Sequence, residues 1–278
     1  KKVCGLVQLK QTFNLKNMYG MNYGYRSGLN QSMVTHLKNK YHRIIEYVEL
    51  NDNDICIDIA GNDGTFLSNF SDNLRLTSID PTSQKFSQYY PKHVGWVSSF
   101  FDSKVYRSIH GSQQAKLVTS FSMFYDLEDP VHFASEVYNI LDNEGVWVLE
   151  QSYMPRMVET NSFDTVCHEH LSYYALRQFQ YMFRDVGFKI VDISFNKCNG
   201  GSFVVTAAHE ESVWWDEDSE KVKKIQDEEF LGQYQTLPVW EKWTEMIEES
   251  RDKLKKRIKG KKVAALGAST KGNVLLQY

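Results

Sequence analysis

The densest group of reactive side chains in the sequence lies between residues 167 and 174. The segment reads Cys-His-Glu-His-Leu-Ser-Tyr-Tyr, which puts two imidazoles, a carboxylate, a thiol and two phenols into eight residues. Histidine is the side chain whose ordinary pKa lies nearest neutral pH, and a carboxylate beside it can orient its ring. This composition predicts a site for proton transfer, in which Glu169 orients a histidine.

The same residue types could also bind a metal ion, because histidine, glutamate and cysteine are all common ligands. On a helix His168 and His170 would face about 200° apart, and the segment has neither an HExxH nor a CxxC spacing. We therefore expect no metal site here. The remaining alternative is structural, with one histidine satisfied in the core and the other exposed to solvent.

A second chemical feature is the loop at residues 58–65, which reads Asp-Ile-Ala-Gly-Asn-Asp-Gly-Thr between a short apolar run and a predicted helix. Gly61 and Gly64 allow the backbone to approach a ligand closely. Asp80 ends the next apolar run, 19 positions after Gly61. A carboxylate there can accept hydrogen bonds from both hydroxyls of an adenosine ribose, so the sequence predicts a nucleotide-type site.

The charge of this loop selects among nucleotide cofactors. A dinucleotide site would have GxGxxG, so that the helix N-terminus holds a pyrophosphate, but Ile59 stands at the first glycine position. Three carboxylates, of Asp58, Asp63 and Asp80, would repel a diphosphate and tolerate the sulfonium and ammonium groups of S-adenosylmethionine (SAM). We predict a SAM site, and the alternative is a helix-capping turn in an unrelated α/β protein.

The elements that must position these residues show a regular alternation. Short apolar runs, separated by helical or loop segments, span residues 55–60, 74–79, 94–97, 116–121 and 146–149. Short buried strands that alternate with helices predict an α/β fold with a doubly wound, Rossmann-like sheet of parallel strands. An amphipathic helix that begins near Ser32 precedes the first strand.

The chain divides into three predicted regions. Residues 1–28 are polar and tyrosine-rich and contain three glycines, which predicts an extended arm. Residues 29–155 form the SAM-binding domain, and residues 156–278 form a C-terminal substrate domain because the alternation stops after Pro155. For this last region we expect a helix over 175–186 that ends at Gly187, strands over 188–195 and 203–208, a charged helical stretch over 216–259 and a strand over 262–266.

Composition and charge narrow the function classes. The 278 residues carry 32 Lys and Arg against 35 Asp and Glu, and 42% are apolar, which is a globular composition without the basic excess of a nucleic-acid binder. No stretch approaches the ~20 apolar residues that cross a bilayer, and no leader opens the chain. Four scattered cysteines imply reduced thiols. We expect a cytoplasmic protein without a nucleic-acid or membrane partner.

Five segments resemble, in order, the sugar C-methyltransferase family. They are VCGLVQL (3–9), NDGT (62–65), CHEHLSYY (167–174), NGGS (199–202) and GASTKGN (267–273). Members of that family are SAM-dependent enzymes with a class I methyltransferase fold that act on nucleotide-linked keto-deoxysugars. The resemblance implies SAM as the cofactor and a nucleotide-linked sugar as the small-molecule substrate. Cys4 resembles the last cysteine of a small zinc module of the family, and the chain stops in what resembles the first helix of a further family domain, so we expect both chain ends to be truncated.

The resemblance also implies roles for individual residues. In the family's reaction a base removes a proton from the carbon beside a ketone, and the resulting enolate attacks the methyl group of SAM. This implies His170 as the base and Glu169 as its orienting group or as an acceptor for a substrate hydroxyl. The SAM-binding residues are then Gly61, Asn62, Gly64, Asp80, Phe100 or Phe101, Ser122 and Tyr25. The substrate-binding residues are Cys167, Tyr173, Ser269 and Lys271.

The chain departs from the family at two positions where a side chain would steady the enolate. The family often has tyrosine at the position of Cys167, and it has a histidine after the fourth strand, where residues 123–126 read Met-Phe-Tyr-Asp. One alternative is therefore a sugar O-methyltransferase in which His170 deprotonates a hydroxyl. The others are a non-catalytic module that binds SAM and a nucleotide sugar, and a NAD(P)-dependent oxidoreductase.

Overall fold

The strands of the protein form a large sheet and a small one in its computed structural model, which describes residues 4–20, 22–264 and 269–278. The strands are β1 (Val7–Gln8), β2 (Ile55–Ile59), β3 (Arg75–Ile79), β4 (Val94–Val97), β5 (Ala115–Phe121), β6 (Leu141–Ser152), β7 (Ser172–Tyr173), β8 (Phe188–Asn196) and β9 (Ser202–His209). Within these described ranges the large sheet has seven strands in the order β4-β3-β2-β5-β6-β9-β8, and β1 pairs with β7.

The large sheet is doubly wound. Its strands β4, β3, β2, β5 and β6 pair in parallel. The chain builds β2, β3 and β4 toward one edge and then returns to place β5 and β6 on the other side of β2. Ligands of open parallel sheets bind beyond the carboxyl ends of the strands where the order reverses, here between β2 and β5. The doubly wound α/β sheet predicted from the five apolar runs is confirmed.

Helices cover both faces of this sheet. They are α1 (Leu15–Met18), α2 (Gln31–Ile45), α3 (Ser83–Phe86), α4 (Ser103–His110), α5 (Pro130–Ile140), α6 (Met154–Glu159), α7 (Leu176–Val186), α8 (Ser219–Leu231), α9 (Leu237–Ile258) and α10 (Thr270–Gln277). Leu37 and Ile44 of α2 pack into the core on one face, and Phe179 and Phe183 of α7 pack into the core on the other. Each such burial stabilises the fold by ~1.5–3 kcal/mol. Among the helices described, none has the length and hydropathy of a membrane-spanning segment.

The C-terminal hairpin of β8 and β9 belongs to the same sheet as the strands that precede residue 155. Strand β9 pairs antiparallel with β6, with Trp147 opposite Ala207, and β8 pairs with β9. The sequence places these strands beyond a domain boundary at residue 155, but the sheet runs across that boundary. Every residue of β9 is buried, because β9 lies between two other strands and under helices on both faces. We predicted an arm (1–28), a SAM-binding domain (29–155) and a substrate domain (156–278). The predicted boundary at residue 155 therefore does not separate two sheets.

The prediction of a helix directly after the loop at residues 58–65 is wrong. Turns follow β2, and the described residues there contain a single 3₁₀ turn at Leu67–Asn69. The side chain of Asn69 donates to the carbonyls of Thr65 and Phe66, and that of Ser68 donates to the carbonyl of Thr65. Such local side-chain bonds occupy the acceptors that an α-helix would need.

The other C-terminal predictions have mixed outcomes. Gly187 ends α7 with a left-handed φ of 102°, as predicted. The charged stretch over 216–259 contains two helices, α8 and α9, since a turn at Gly232 interrupts it. The strand predicted over 262–266 falls partly outside the described residues, and residues 262–264 form no strand.

Candidate active site

A cavity of about 390 Å³ opens at the carboxyl ends of β2, β3 and β5. Its volume lies within the ~300–1,000 Å³ of small-molecule sites. The predicted residues that line it are Gly61, Asn62, Asp80, Phe100, Phe101, Ser122 and Tyr25. The cavity thus lies where the strand order reverses, and it brings the loop after β2, the end of β3, the end of β5 and the arm together.

Asp80 is held rigidly at the end of β3. Its Oδ2 accepts a hydrogen bond of 2.9 Å from the backbone N–H of Asn62, and its Oδ1 accepts from the backbone N–H and the hydroxyl of Thr82, each over 2.6 Å. A carboxylate has about four lone-pair sites, so these three bonds leave capacity for a further donor. The geometry fits the predicted contact with a ribose hydroxyl of SAM.

Asp58 contributes a second carboxyl group to the cavity. Burial raises the pKa of Asp58 to about 7, the hydroxyl of Thr119 opposes this shift, and the negative charge of Asp80 adds to it. The Thr119 hydroxyl donates to Asp58 Oδ1 over 2.7 Å. Asp58 is therefore partly neutral near pH 7, and a bound cation would favour its charged form.

Asp63 faces the arm rather than the cavity, which corrects the picture of three carboxylates at the cofactor. Asp63 Oδ2 accepts hydrogen bonds from the guanidinium of Arg26 over 3.1 Å and from the backbone N–H of Gly28 over 2.9 Å. The guanidinium of Arg26 also lies 3.8 Å from the ring centroid of Tyr89. The negative charge of Asp63 is thus balanced by the guanidinium of Arg26. Of the three carboxylates, only those of Asp58 and Asp80 belong to residues that line the cavity.

The two glycines of the loop differ in position. Gly61 lines the cavity, and a Cβ there would lie 2.5 Å from the hydroxyl of Ser78. Gly64, which the resemblance implied as a SAM-binding residue, is not one of the described residues that line the cavity. It has a φ of 75°, and a Cβ would lie 2.6 Å from a ring carbon of Tyr90. Gly64 therefore affects the loop through packing, because its lack of a side chain allows the ring of Tyr90 to lie against it.

The amide of Asn62 binds the arm. Its Oδ1 accepts from the backbone N–H of Ser27 over 2.9 Å, and its Nδ2 donates to the carbonyl of Tyr25 over 3.2 Å. Asn62 and Ser122 both have left-handed φ values, of 56° and 55°. Such strain in residues other than glycine is concentrated at functional sites. The side chain of Asn62 thus holds the arm over the loop, while its backbone N–H donates to Asp80 and its carbonyl accepts from the hydroxyl of Tyr90.

His170 lies in a second cluster, in the segment between a 3₁₀ turn at Phe163–Thr165 and β7. Its Nδ1 is 2.8 Å from the carbonyl oxygen of Thr165, which can only accept, so Nδ1 carries the proton and Nε2 keeps its lone pair. Burial lowers the pKa of His170 to about 4, the Thr165 carbonyl opposes this shift, and the positive charge of Lys271 adds to it. His170 is therefore a neutral imidazole at pH 7 whose Nε2 can accept a proton.

Glu169 and Cys167 lie beside His170. One ligand atom of each of these three residues lies within 4.8 Å of the other two. Glu169 Oε1 accepts a hydrogen bond of 3.2 Å from the hydroxyl of Thr270, and burial raises the pKa of the Cys167 thiol. A metal ion could bind these three atoms, so the absence of a metal site stays a prediction.

The C-terminal turn reaches this cluster. Lys271 Nζ donates to Asn199 Oδ1 over 3.3 Å, which joins the segments GASTKGN and NGGS. The hydroxyl of Ser269 accepts from the backbone N–H of Gly272 and caps α10, so it is occupied within its own turn. The part of the predicted turn at residues 265–268 lies outside the described residues.

The structure does not join the two clusters into one open space. His170 and Tyr173 line a smaller cavity of about 10 Å³ together with Tyr125, and none of the three lines the larger one. The rings of Tyr125 and His170 have centroids 4.2 Å apart. Tyr125 and its neighbour Asp126 therefore connect the clusters, since Asp126 lines the larger cavity.

Tyr19, Tyr23 and Asp126 are among the residues of the larger cavity that sequence reasoning missed. Tyr19 and Tyr23 of the arm line it, and the hydroxyl of Tyr19 donates to Asp126 Oδ2 over 2.7 Å. The signal for the tyrosines was the tyrosine-rich arm, from which only Tyr25 was chosen. Asp126 gave no signal, because a single aspartate after a strand is common and its burial depends on the folded arm.

The doubly wound sheet, with a cavity where its strand order reverses, is the Rossmann-like fold of class I SAM-dependent methyltransferases. Residues 33–193 match the family described as a methyltransferase domain, and since they make up more than half of the chain, the chain belongs to that family. Residues 197–278 match the family described as the C-methyltransferase C-terminal domain.

Two known proteins resemble the chain over much of its length. The C-methyltransferase NovU of Streptomyces niveus is 26% identical over 282 residues, which cover 98% of this chain and 66% of NovU. The chain thus spans just under two thirds of that relative. A chain of the solved complex between the Haloferax volcanii Trm112 methyltransferase activator and a methyltransferase is 12% identical, with a TM-score of 0.52, over 66% of this chain and 94% of that one. The latter similarity concerns the fold alone.

Proposed function

We propose that the protein transfers a methyl group from SAM to a carbon of a nucleotide-linked keto-deoxysugar by base-assisted enolisation. The similarity to NovU and to the C-methyltransferase C-terminal domain supports transfer to carbon. The sugar-nucleotide substrate rests on the resemblance of the five sequence segments. The observation that carries the mechanism is the hydrogen bond from His170 Nδ1 to the Thr165 carbonyl, because it leaves Nε2 as a proton acceptor.

The larger cavity provides groups suited to each part of SAM. Asp80 accepts hydrogen bonds from the ribose hydroxyls, Phe100 and Phe101 contact the adenine, and the backbone of Gly61 lies against the amino-acid part. Tyr25 of the arm reaches the methionine carboxylate. When bound, SAM supplies an electrophilic methyl group on a positively charged sulfur. The acidic pair of Asp58 and Asp80 favours this cation over a diphosphate.

The second cluster provides the groups for the sugar. Nε2 of His170 takes the proton from the carbon beside the ketone, and the electron pair of that bond moves onto the ketone oxygen. Glu169 accepts a hydrogen bond from a sugar hydroxyl, because the Thr165 carbonyl already takes the Nδ1–H of His170 and orients the imidazole in place of Glu169. Lys271 offers its positive charge to the nucleotide part, and Cys167 and Tyr173 lie against the sugar. Of these residues His170 and Tyr173 line the small cavity, together with Tyr125.

The test compares His170→Asn with His168→Asn. General-base catalysis contributes about 10²–10⁴-fold, so we expect His170→Asn to lose methyl transfer by that factor without a change in SAM affinity. His168 is an exposed histidine whose ring packs against Phe13, and its replacement should leave the rate unchanged. Transfer is followed by mass spectrometry with a panel of nucleotide-linked keto sugars, and SAM affinity by calorimetry.

Isotope exchange separates carbon from oxygen transfer. In deuterated buffer, the wild-type protein should exchange the hydrogen on the carbon beside the ketone, and His170→Asn should not. Product methylated on oxygen, without this exchange, would instead establish the O-methyltransferase. SAM binding without any product across the panel would identify a binding module, and a fully active His170→Asn variant would refute the base assignment.

A further inference from the structure

A buried carboxyl group with an unpaired oxygen lies in the wall of the larger cavity. Asp126 is only 7% exposed, and its Oδ2 accepts the hydrogen bond from the hydroxyl of Tyr19. Its Oδ1 is buried and has no hydrogen-bond partner among the residues that the structure describes. Buried polar atoms are nearly always paired, and of the described residues with such an unpaired side-chain atom Asp126 is the one that lines the larger cavity.

Asp126 lies where the two clusters meet. It is in the turn that follows β5 and Ser122, at the carboxyl edge of the sheet. Asp126 is one of the residues that line the larger cavity, while the preceding residue, Tyr125, packs against the ring of His170. In the proposed reaction, the substrate carbon that receives the methyl group must lie between the methyl donor and His170, and therefore in this region. Asp126 is therefore positioned beside the reacting part of the substrate.

The surroundings of Asp126 favour its neutral form. Tyr19 and Tyr23 face it from the arm, Tyr125 faces it from its own turn, and the carboxylate of Glu169 lies nearby. Burial holds the pKa of Asp126 well above its usual range, the Tyr19 hydroxyl opposes this shift, and the charge of Glu169 adds to it. Because Oδ2 already accepts the proton of Tyr19, the proton of the neutral acid is on Oδ1. The unpaired oxygen is then a hydrogen-bond donor.

We propose that Asp126 is a further catalytic residue, which donates a hydrogen bond from Oδ1 to the ketone oxygen of the substrate as His170 removes the neighbouring proton. This inference rests on the proposed function. The proton moves from carbon to Nε2 of His170, and the electron pair moves to the ketone oxygen, where negative charge develops. Asp126 keeps its own proton throughout and stabilises that charge, as a donor in an oxyanion hole does.

The test uses two variants with different hydrogen-bonding capacity. Asparagine imitates the neutral acid, because its oxygen can accept from Tyr19 while its NH₂ group donates at the position of Oδ1. Alanine removes both interactions. Loss of one oxyanion donor costs about 10²–10³ in kcat, so we expect Asp126→Ala to lose that factor while Asp126→Asn keeps most of the wild-type rate. SAM affinity and thermal unfolding show whether either variant has lost its fold.

A second measurement reports the protonation state without turnover. At pH 7, the infrared difference spectrum of wild type minus Asp126→Asn should contain the carbonyl stretch of a protonated carboxylic acid. Absence of this band would overturn the proposal, as would an Asp126→Ala variant as active as the wild type. A folded Asp126→Asn variant as impaired as the alanine variant would overturn it too, because it would show that a charged carboxylate is required.

The outcomes separate this inference from the proposed function. If the wild-type protein shows no hydrogen exchange beside the ketone and methylates oxygen, the proposed function fails and the donor role at an enolate fails with it. If the wild type exchanges and methylates carbon but Asp126→Ala does so equally fast, only the inference about Asp126 fails. Exchange and carbon methylation that both fall in Asp126→Ala support both.

Discussion

The side-chain oxygen of Asn62 accepts a hydrogen bond of 2.9 Å from the backbone N–H of Ser27. The same amide donates to the carbonyl of Tyr25, so one side chain of the SAM loop binds two backbone groups of the arm. Lys85, which follows β3, also donates to the carbonyl of Tyr23. The arm is therefore a wall of the larger cavity, and its position depends on residues that follow β2 and β3.

Replacement of Asn62 should loosen this wall. Each of its two hydrogen bonds contributes about 0.5–1.5 kcal/mol, so we expect Asn62→Ala to weaken SAM binding by roughly tenfold and to speed proteolysis of the arm. Calorimetry and limited proteolysis measure the two effects.

The matched control is Asn73→Ala. The amide of Asn73 bonds to Asp52 in a turn at the amino ends of the strands, on the opposite edge from the cavity. Its loss should leave both properties unchanged. Unchanged SAM affinity in Asn62→Ala would contradict the function assigned to the arm.

Gly64 should matter for stability through the ring of Tyr90. In Gly64→Ala the new Cβ would lie 2.6 Å from a ring carbon of Tyr90, and the alanine would have to adopt a left-handed φ of 75°. Left-handed backbone costs a residue with a Cβ about 1–2 kcal/mol, and overpacking adds about 1–3 kcal/mol. The free energy of unfolding, measured by urea denaturation, should therefore fall by the sum.

Gly260 isolates the backbone cost from the packing cost. It has a φ of 72°, and nothing lies within 4 Å of the Cβ that alanine would add. Gly260→Ala should lower the free energy of unfolding by the first amount alone. Equal losses in the two variants would show that the Tyr90 ring moves aside without cost.

The pH dependence of the reaction should report the environment of His170. A base acts only when unprotonated, and burial lowers the pKa of His170 to about 4. With SAM saturating, kcat/KM should therefore stay high as the pH falls below 6.5 and decline only toward pH 4. A decline centred near 6.5, the ordinary value for histidine, would show an exposed imidazole.

The same shift links pH to folding. The pKa of His170 is lower in the folded state than the ordinary value near 6.5 of the unfolded chain, so below 6.5 the unfolded state binds the proton first. The stability associated with a neutral His170 is complete above pH 6.5 and is lost as the pH falls toward 4. His170→Asn should reduce this loss in denaturation measured between these values.

Local sequence patterns were sufficient for the strands of the sheet. The runs at 55–60, 74–79, 94–97, 116–121 and 146–149 became β2 to β6 because a strand buried on both faces must be apolar along its length. The loop of Gly61 and the acid of Asp80 were likewise found from spacing, since the ends of adjacent parallel strands meet at one edge of the sheet.

Only the tertiary structure decided how side chains with the same local pattern are used. Asp58 and Asp63 belong to one loop, but Asp63 pairs with Arg26 of the arm while Asp58 faces the cavity. The hairpin of β8 and β9 pairs with β6, and no local periodicity of the sequence predicts that pairing. Hydrogen bonds and burial between distant segments set these outcomes, and they depend on the path of the chain in space. The sequence thus determined which elements and chemical groups exist, and the fold decided which groups face one another, as with Asp126, whose environment is made by Tyr19, 107 residues away.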